Sequence, residues 1–297
     1  MSRVKDGSDL LARVKGKRKR IAVAVAEDSE VLLSLKDAIA EGIAEPLLYG
    51  NSEKIKAIAD SIGLSLNGLE MHNCSTPDEA VEGALSAARD GQASLLMKGG
   101  LNTAVFLKAV LDKKFGLRKS SLLSHVGLFF PPAIGRPVVV TDAALNLSPT
   151  LEDKVAIINN AVAVLNRLGI EKPKVAVLAH NEVVSPKVIA SVEAQKLKEM
   201  ADSGLIKGCV VDGPIALDCA LSEEACRHKG LVSTVCGIAD ILVCPDIISA
   251  NILYKSMVFL ANAHGAAIIE GAAVPLVVAS RAEDARTKLL SISLAAV

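Results

Sequence analysis

The sequence predicts an α/β fold made of two doubly wound lobes with a cleft between them. Three observations lead there. Short valine- and isoleucine-rich runs alternate with segments of helical periodicity. That alternation breaks over 124–141 and restarts at 150, and 297 residues slightly exceed what one hydrophobic core usually organises. Clefts between lobes are where small ligands bind.

The run 21–26 is the first strand. Asp28 or Ser29 caps a helix whose Leu32, Leu35 and Ile39 share a face, and Gly42 ends it. A second strand, 46–49, precedes a helix opened by Ser52, carrying Ile55, Ile58 and Ile62 and stopped by Gly63. After a weaker strand near 69–72, Thr76-Pro77-Asp78-Glu79 combines a cap, a proline in the first turn and a capping-box acid, starting a helix that runs to about Arg89. The strand 93–97 leads through the turn Lys98-Gly99-Gly100 to a helix capped by Asn102 or Thr103, with Val105, Leu107 and Leu111 inward.

Strands at 124–130 and 137–141 are separated only by Pro131-Pro132-Ala133-Ile134-Gly135-Arg136, too short for a crossover helix. They form an antiparallel pair in an otherwise parallel sheet. The second lobe then reads as helix 150–168, strand 174–179, helix 187–202, strand 208–211, a helix to His228, strand 240–244, helix 251–263 and strand 266–269. The last apolar run, opened by Pro275, and the helix carrying Leu289, Ile292 and Ala296 are too little for a domain of their own. They return to the first lobe, giving lobes of 1–148 plus 274–297 and of 149–273.

Composition narrows the function. Lys plus Arg and Asp plus Glu are 33 each, so no net field draws in nucleic acid or an anionic membrane. Aromatics at 2% and the absence of Trp argue against base stacking. The chain is 51% hydrophobic, yet no window of roughly 18 residues is free of charge and breakers as a membrane span requires. The run 21–26 is too short for a signal-peptide core, so a cytoplasmic protein is expected. Cys74, Cys209, Cys219, Cys226, Cys236 and Cys244 show no zinc-ligand spacing and read as reduced, packed thiols, with no metal expected.

Ligands of such sheets bind beyond the carboxyl ends of strands, which singles out a few turns. Ser280 ends the last strand and, with Glu283 three residues on, fits a capping box. A helix start also attracts anions, and Arg281 adds a donor fork suited to phosphate. Lys98-Gly99-Gly100 lets backbone approach a ligand beside a point charge, but it lacks the spacing of a nucleotide loop. Asp142 with Asn146, and Asp246 with Asn251, stand at the corresponding exits. His125, His180, His228 and His264 are dispersed, and nothing in the sequence sets one beside a nucleophile.

Taken together, Lys98-Gly99 with Asn102-Thr103, Leu123-Ser124-His125-Val126, Thr141-Asp142 with Asn146 and Pro149, Val211-Asp212-Gly213-Pro214 with Leu217-Asp218, Ala239-Asp240-Ile241-Leu242-Val243 with Pro245-Asp246, Asn251 with Tyr254-Lys255, and Ser280-Arg281 resemble the phosphate acetyl/butyryltransferase family, in its butyryltransferase branch. The resemblance covers most of the chain from about Ala93. It implies a fold similar to the isocitrate/isopropylmalate dehydrogenases, no permanent cofactor, a homodimer or higher homo-oligomer, and reversible transfer of a short acyl group between coenzyme A and phosphate. It also implies catalytic roles for Ser280, Arg281, Glu283 and Asp142. Substrate contacts are implied for Arg89, Lys98, Gly99, Asn102, Thr103, Arg118, Ser124, His125, Asn146, Asp246, Asn251, Tyr254 and Lys255.

The pattern departs from the family at three points. Thr287 stands where the acetyl branch has an acid, Ala250 where glycine is usual, and Glu270 where a small or apolar residue is usual. A catalytically lapsed acyl-CoA- and phosphate-binding module of the same fold accommodates these departures. An oxidoreductase of the related dehydrogenase fold would need clustered metal-binding carboxylates, which the sequence lacks.

Overall fold

The computed structural model describes residues 3–278 and 284–297. Two compact units divide the chain, one of Ser8–Ser120 with Ala266–Val297, the other of Ser121–Gly265 with the residues up to Gly7. Both are discontinuous in sequence. The segment 121–148, read from sequence with the first lobe, clusters with the second unit because its strands join that unit's sheet.

In the first unit α1 (Gly7–Val14) leads into β1 (Lys19–Ala24). Asp28 caps α2 (Ser29–Ala40) by accepting from the amides of Glu30 and Val31. β2 (Ala44–Gly50) and α3 (Ser52–Ile62) follow, and Gly63 closes the helix in the left-handed region at φ 64°. β3 (Glu70–Asn73) precedes α4 (Pro77–Arg89), where Thr76 accepts from the Glu79 amide and the Glu79 carboxylate accepts from the amide of Ser75. β4 (Leu95–Lys98) and α5 (Thr103–Val110) complete this stretch. The inward face of α5 is Phe106 and Val110; Val105 and Leu111, expected inward, are exposed. In a helix apolar nearly all round, periodicity does not choose the face.

The second unit opens with β5 (Ser124–Phe130) and β6 (Val138–Thr141), which pair antiparallel. Thr150 and Asp153 form a capping box for α6 (Leu151–Arg167). Next come β7 (Lys174–Leu178), α7 (Ile189–Asp202), β8 (Val210–Ile215), the short α8 (Leu217–Leu221) and α9 (Glu223–His228), β9 (Ile241–Val243) and α10 (Ile247–Phe259). The order is β5-β6-β9-β7-β8, parallel from β6 onward, over a core that includes Phe129, Val140, Ile215, Leu242 and Met257. α10 starts four residues before Asn251, because Asp246 accepts from the Ser249 amide and caps it there.

The chain then returns to the first unit as β10 (His264–Glu270), β11 (Leu276–Val277) and α11 (Ala285–Ala296). β11 runs parallel to β4, with Leu276 beside Leu96 and Val277 beside Met97, and antiparallel to β10. The order here is β3-β2-β1-β4-β11-β10. α11 packs on α2, where the buried Lys288 ammonium meets Glu30. Its cap is Asp284, accepting from the Thr287 amide at 2.7 Å; the cap expected at Ser280 lies outside the described residues.

Candidate active site

In the second unit three strand ends meet. Gly127 of β5 pairs with Val140 of β6, and beyond that pair the Asp142 charge acts on the His125 ring. β6 and β9 run side by side to Thr141 and Val243, and beyond them lie Asp142 and Asp246. Thr141 Oγ1 donates to the His125 carbonyl at 2.8 Å, fixing the β5 entry to the β6 exit. This is the crevice beyond carboxyl ends where open α/β sheets take ligands.

Asp142 is buried and organises the loop behind it. Its Oδ1 accepts from the amides of Ala144 (2.9 Å) and Leu145 (3.0 Å), and its Oδ2 accepts from Asn146 Nδ2 at 2.5 Å. Asn146 also donates to the Leu123 carbonyl at 3.0 Å. Asn251 Nδ2 donates to the Ala143 carbonyl at 3.0 Å, tying α10 to the same loop. Ser124, fully buried, accepts from Asn160 Nδ2 at 2.9 Å and is a packing residue. Tyr254 sets its ring edge-on to His125 (centroids 5.3 Å apart) and Phe129 (4.8 Å). It lies over Gly127, where a Cβ would meet its ring at 2.8 Å. Lys255, next on α10, is exposed.

Burial lowers the pKa of the His125 imidazole below the ordinary 6.5, and the nearby Asp142 charge offsets part of that. Burial and the Asp246 charge push the Cys244 thiol up to about 12, which keeps it protonated and unreactive. The same holds for Cys219, at about 12, and Cys226, at about 11. Glu182, Asp218 and Cys219 are the one close group of metal-ligand types among the described residues. Lys229 bridges it, with Nζ 3.1 Å from Glu182 and 2.9 Å from Asp218, and the protonated thiol is a poor ligand.

In the first unit the turn after β4 seats on the exit of β1. The amides of Gly99 and Gly100 donate to the carbonyls of Ala24 (2.8 Å) and Val25 (2.7 Å). A Cβ at Gly99 would lie 1.9 Å from the Val25 oxygen, so glycine is required by this close approach. Lys98 Nζ turns back to the carbonyls of Gly99 and Leu101, both at 3.0 Å. Asn102 Oδ1 accepts from the Ala104 amide at 2.8 Å, and Thr103 is the first residue of α5. Glu27, just beyond β1, was not singled out from sequence. Its Oε2 is buried without a hydrogen-bond partner, and the available signal was an acid directly at the first strand exit.

Arg89 and Arg118 are not brought to this turn. Arg89 ends α4, which runs back toward the start of β4, and its guanidinium holds the Asp90 carboxylate at 2.8 and 3.1 Å. Arg118 bridges to Ala272, between the end of β10 and the start of β11, and donates to the Ser120 carbonyl at 3.3 Å. Sequence distance alone does not tell which end of a sheet a helix terminus reaches. Ser280, Arg281 and Glu283 lie outside the described residues.

A family profile described as phosphate acetyl/butaryl transferase matches residues 8–83 and 75–296. The phosphate butyryltransferase of Clostridium acetobutylicum is 42% identical over 294 residues, spanning 99% of this chain and 98% of that protein. The phosphate acetyltransferase of Thermotoga maritima is 43% identical over 288 residues, spanning 97% and 98%. A branched-chain phosphotransacylase from Enterococcus faecalis V583 superposes with a TM-score of 0.83 at 32% identity, covering 93% of this chain and 97% of that one.

Proposed function

This chain belongs to the phosphate acetyl/butyryl transferase family and is an acyltransferase; from that premise we propose that it converts a short-chain acyl-CoA and inorganic phosphate into an acyl phosphate and coenzyme A, reversibly. The observation that carries this is similarity over nearly the whole chain to relatives named for both butyryl and acetyl transfer. Coenzyme A enters as a substrate rather than a resident cofactor.

The chemistry suits the residues. Ser280 and Arg281 follow three and four residues after Val277, which pairs with Met97 next to the Lys98 turn. Arg281 neutralises the phosphate, and Ser280 orients it. In the second unit Asp142 holds the 144–146 loop, Asn251 ties α10 to it and Asp246 caps α10, which fixes the strand exits of that unit. Asp142 acts there as a positioning residue, since both its oxygens already accept bonds from the loop.

The acyl group is butyryl or a branched acyl of similar length. Thr287, at the third position of α11 where the acetyl branch has an acid, supports this. CoA release measured with phosphate and acetyl-, butyryl- or branched acyl-CoA tests it. The highest kcat/KM is expected with a four- or five-carbon acyl group, and a clear preference for acetyl would reject it.

The enzyme works in the cytoplasm as a homodimer or larger homo-oligomer. All six cysteines are free thiols, as in a reducing compartment, and no helix among the described residues is long and apolar enough to cross a membrane. On α10, Ile248, Ile252 and Phe259 are largely exposed, an apolar face suited to a second copy. Light scattering that gives a monomer mass would contradict the oligomer.

A further inference from the structure

The polar groups of the second unit's crevice are nearly all engaged within the protein. Both oxygens of Asp142 accept bonds from the 144–146 loop. Asp246 Oδ1 accepts from the Ser249 amide and hydroxyl as the cap of α10, Asn146 and Asn251 donate to backbone carbonyls, and Ser124 is held by Asn160. His125 differs. Its Nδ1 is buried and receives no hydrogen bond, while the residue as a whole is half-buried at the strand ends. The ring packs against Tyr254, and the Asp142 charge acts on it.

We propose that His125 is the proton acceptor for the coenzyme A thiol. The proposal rests on the acyl-transfer reading and names the base for that reaction. Toward acyl-CoA, the S–H bond breaks and the proton passes to the imidazole. The sulfur lone pair forms a C–S bond at the acyl phosphate carbonyl, and the C–O bond to phosphate breaks, its electron pair leaving with phosphate. In reverse, a phosphate oxygen attacks the thioester, the C–S bond breaks, and the departing sulfur takes the proton back from the imidazolium. Nothing is oxidised or reduced.

The surroundings suit that role. Asp142, from the β6 exit, is the charge that acts on the ring and stabilises the imidazolium once formed. Tyr254 from α10 presents its ring edge, and on the α6 side Asn160 is occupied with Ser124. Burial outweighs Asp142, so the ring is neutral through the neutral range and, as pH falls, keeps accepting protons below the ordinary 6.5. The rival base read from sequence, Glu283, lies outside the described residues.

The test compares kcat/KM from about pH 5.5 to 9 for the wild type, His125→Asn and Glu283→Gln, with thermal melts as a control on folding. His125→Asn is expected to fall about 100-fold near pH 7, the deficit shrinking as pH nears the thiol's own pKa of about 8.5. Any loss in Glu283→Gln is expected to be the same at every pH. A His125→Asn variant equal to the wild type at every pH, or reduced equally at every pH, overturns the proposal, as does the pH-dependent deficit appearing in Glu283→Gln instead. Should His125→Asn not fold, NMR titration of the wild-type ring decides. A ring titration that shifts on adding coenzyme A supports the proposal; no shift with coenzyme A overturns it. A wild type without phosphate-dependent CoA release rejects the acyl-transfer reading and this proposal together, whereas an active wild type with an indifferent His125→Asn rejects this proposal alone.

Discussion

Arg281→Ala is expected to lower kcat/KM roughly 10- to 150-fold while leaving the melting temperature nearly unchanged. A charge-assisted hydrogen bond to phosphate in a desolvated site contributes about 1.5 to 3 kcal/mol, and 1.4 kcal/mol is about a factor of ten in rate. A lysine at this position should recover only part of the loss, because a point charge cannot reproduce a planar two-pronged contact. The fall should appear in the dependence on phosphate concentration. An Arg281→Ala enzyme with unchanged phosphate dependence, or one whose main defect is unfolding, would mean that this residue serves the fold.

Asp142→Ala is expected to cost both stability and activity. The substitution removes the acceptor for the Ala144 and Leu145 amides and for Asn146 Nδ2 from a site where the carboxylate is buried. A buried donor left without a partner costs about 1 to 3 kcal/mol, and solvent entering the emptied space relieves part of that. A net loss of about 2 to 4 kcal/mol follows, or a fall in Tm of roughly 5 to 15 °C for a protein of this size. Asp142→Asn should not restore the wild type, because one oxygen must become an amide, which then faces either the loop amides or the Asn146 amide. A melting temperature within about 1 °C of wild type in Asp142→Ala would show that the loop holds itself without this residue.

The architecture was legible wherever local chemistry is unambiguous. The loop at 131–136 is too short for a crossover, and β5 and β6 are accordingly antiparallel. Thr76-Pro77 announces α4. Legibility failed where several residues compete for one role. Asp284, which caps α11, did not stand out in the sequence, because where that helix starts depends on how it packs on α2. α10 is apolar on both sides, so its periodicity hid the first turn between Asp246 and Asn251. At the site, sequence order identified the strand exits that carry Asp142 and Asp246, but not the antiparallel pairing that brings His125 within reach of the Asp142 charge. Which end of a sheet a side chain reaches is likewise a tertiary fact. Arg89, read from sequence toward coenzyme A phosphates, ends α4 with its guanidinium on the Asp90 carboxylate, a placement the sequence did not give.

The central claim is that phosphate itself attacks the acyl carbon of the thioester. Oxygen-labelled phosphate and butyryl-CoA, with the product examined by mass spectrometry, test it most directly. The prediction is that CoA release requires phosphate and that each CoA is matched by one butyryl phosphate carrying the label in the oxygen that bridges carbon and phosphorus. CoA release without phosphate, yielding free butyrate, would make the protein a thioester hydrolase. Binding of phosphate and acyl-CoA with no release would make it a binding module, and either result would contradict this account.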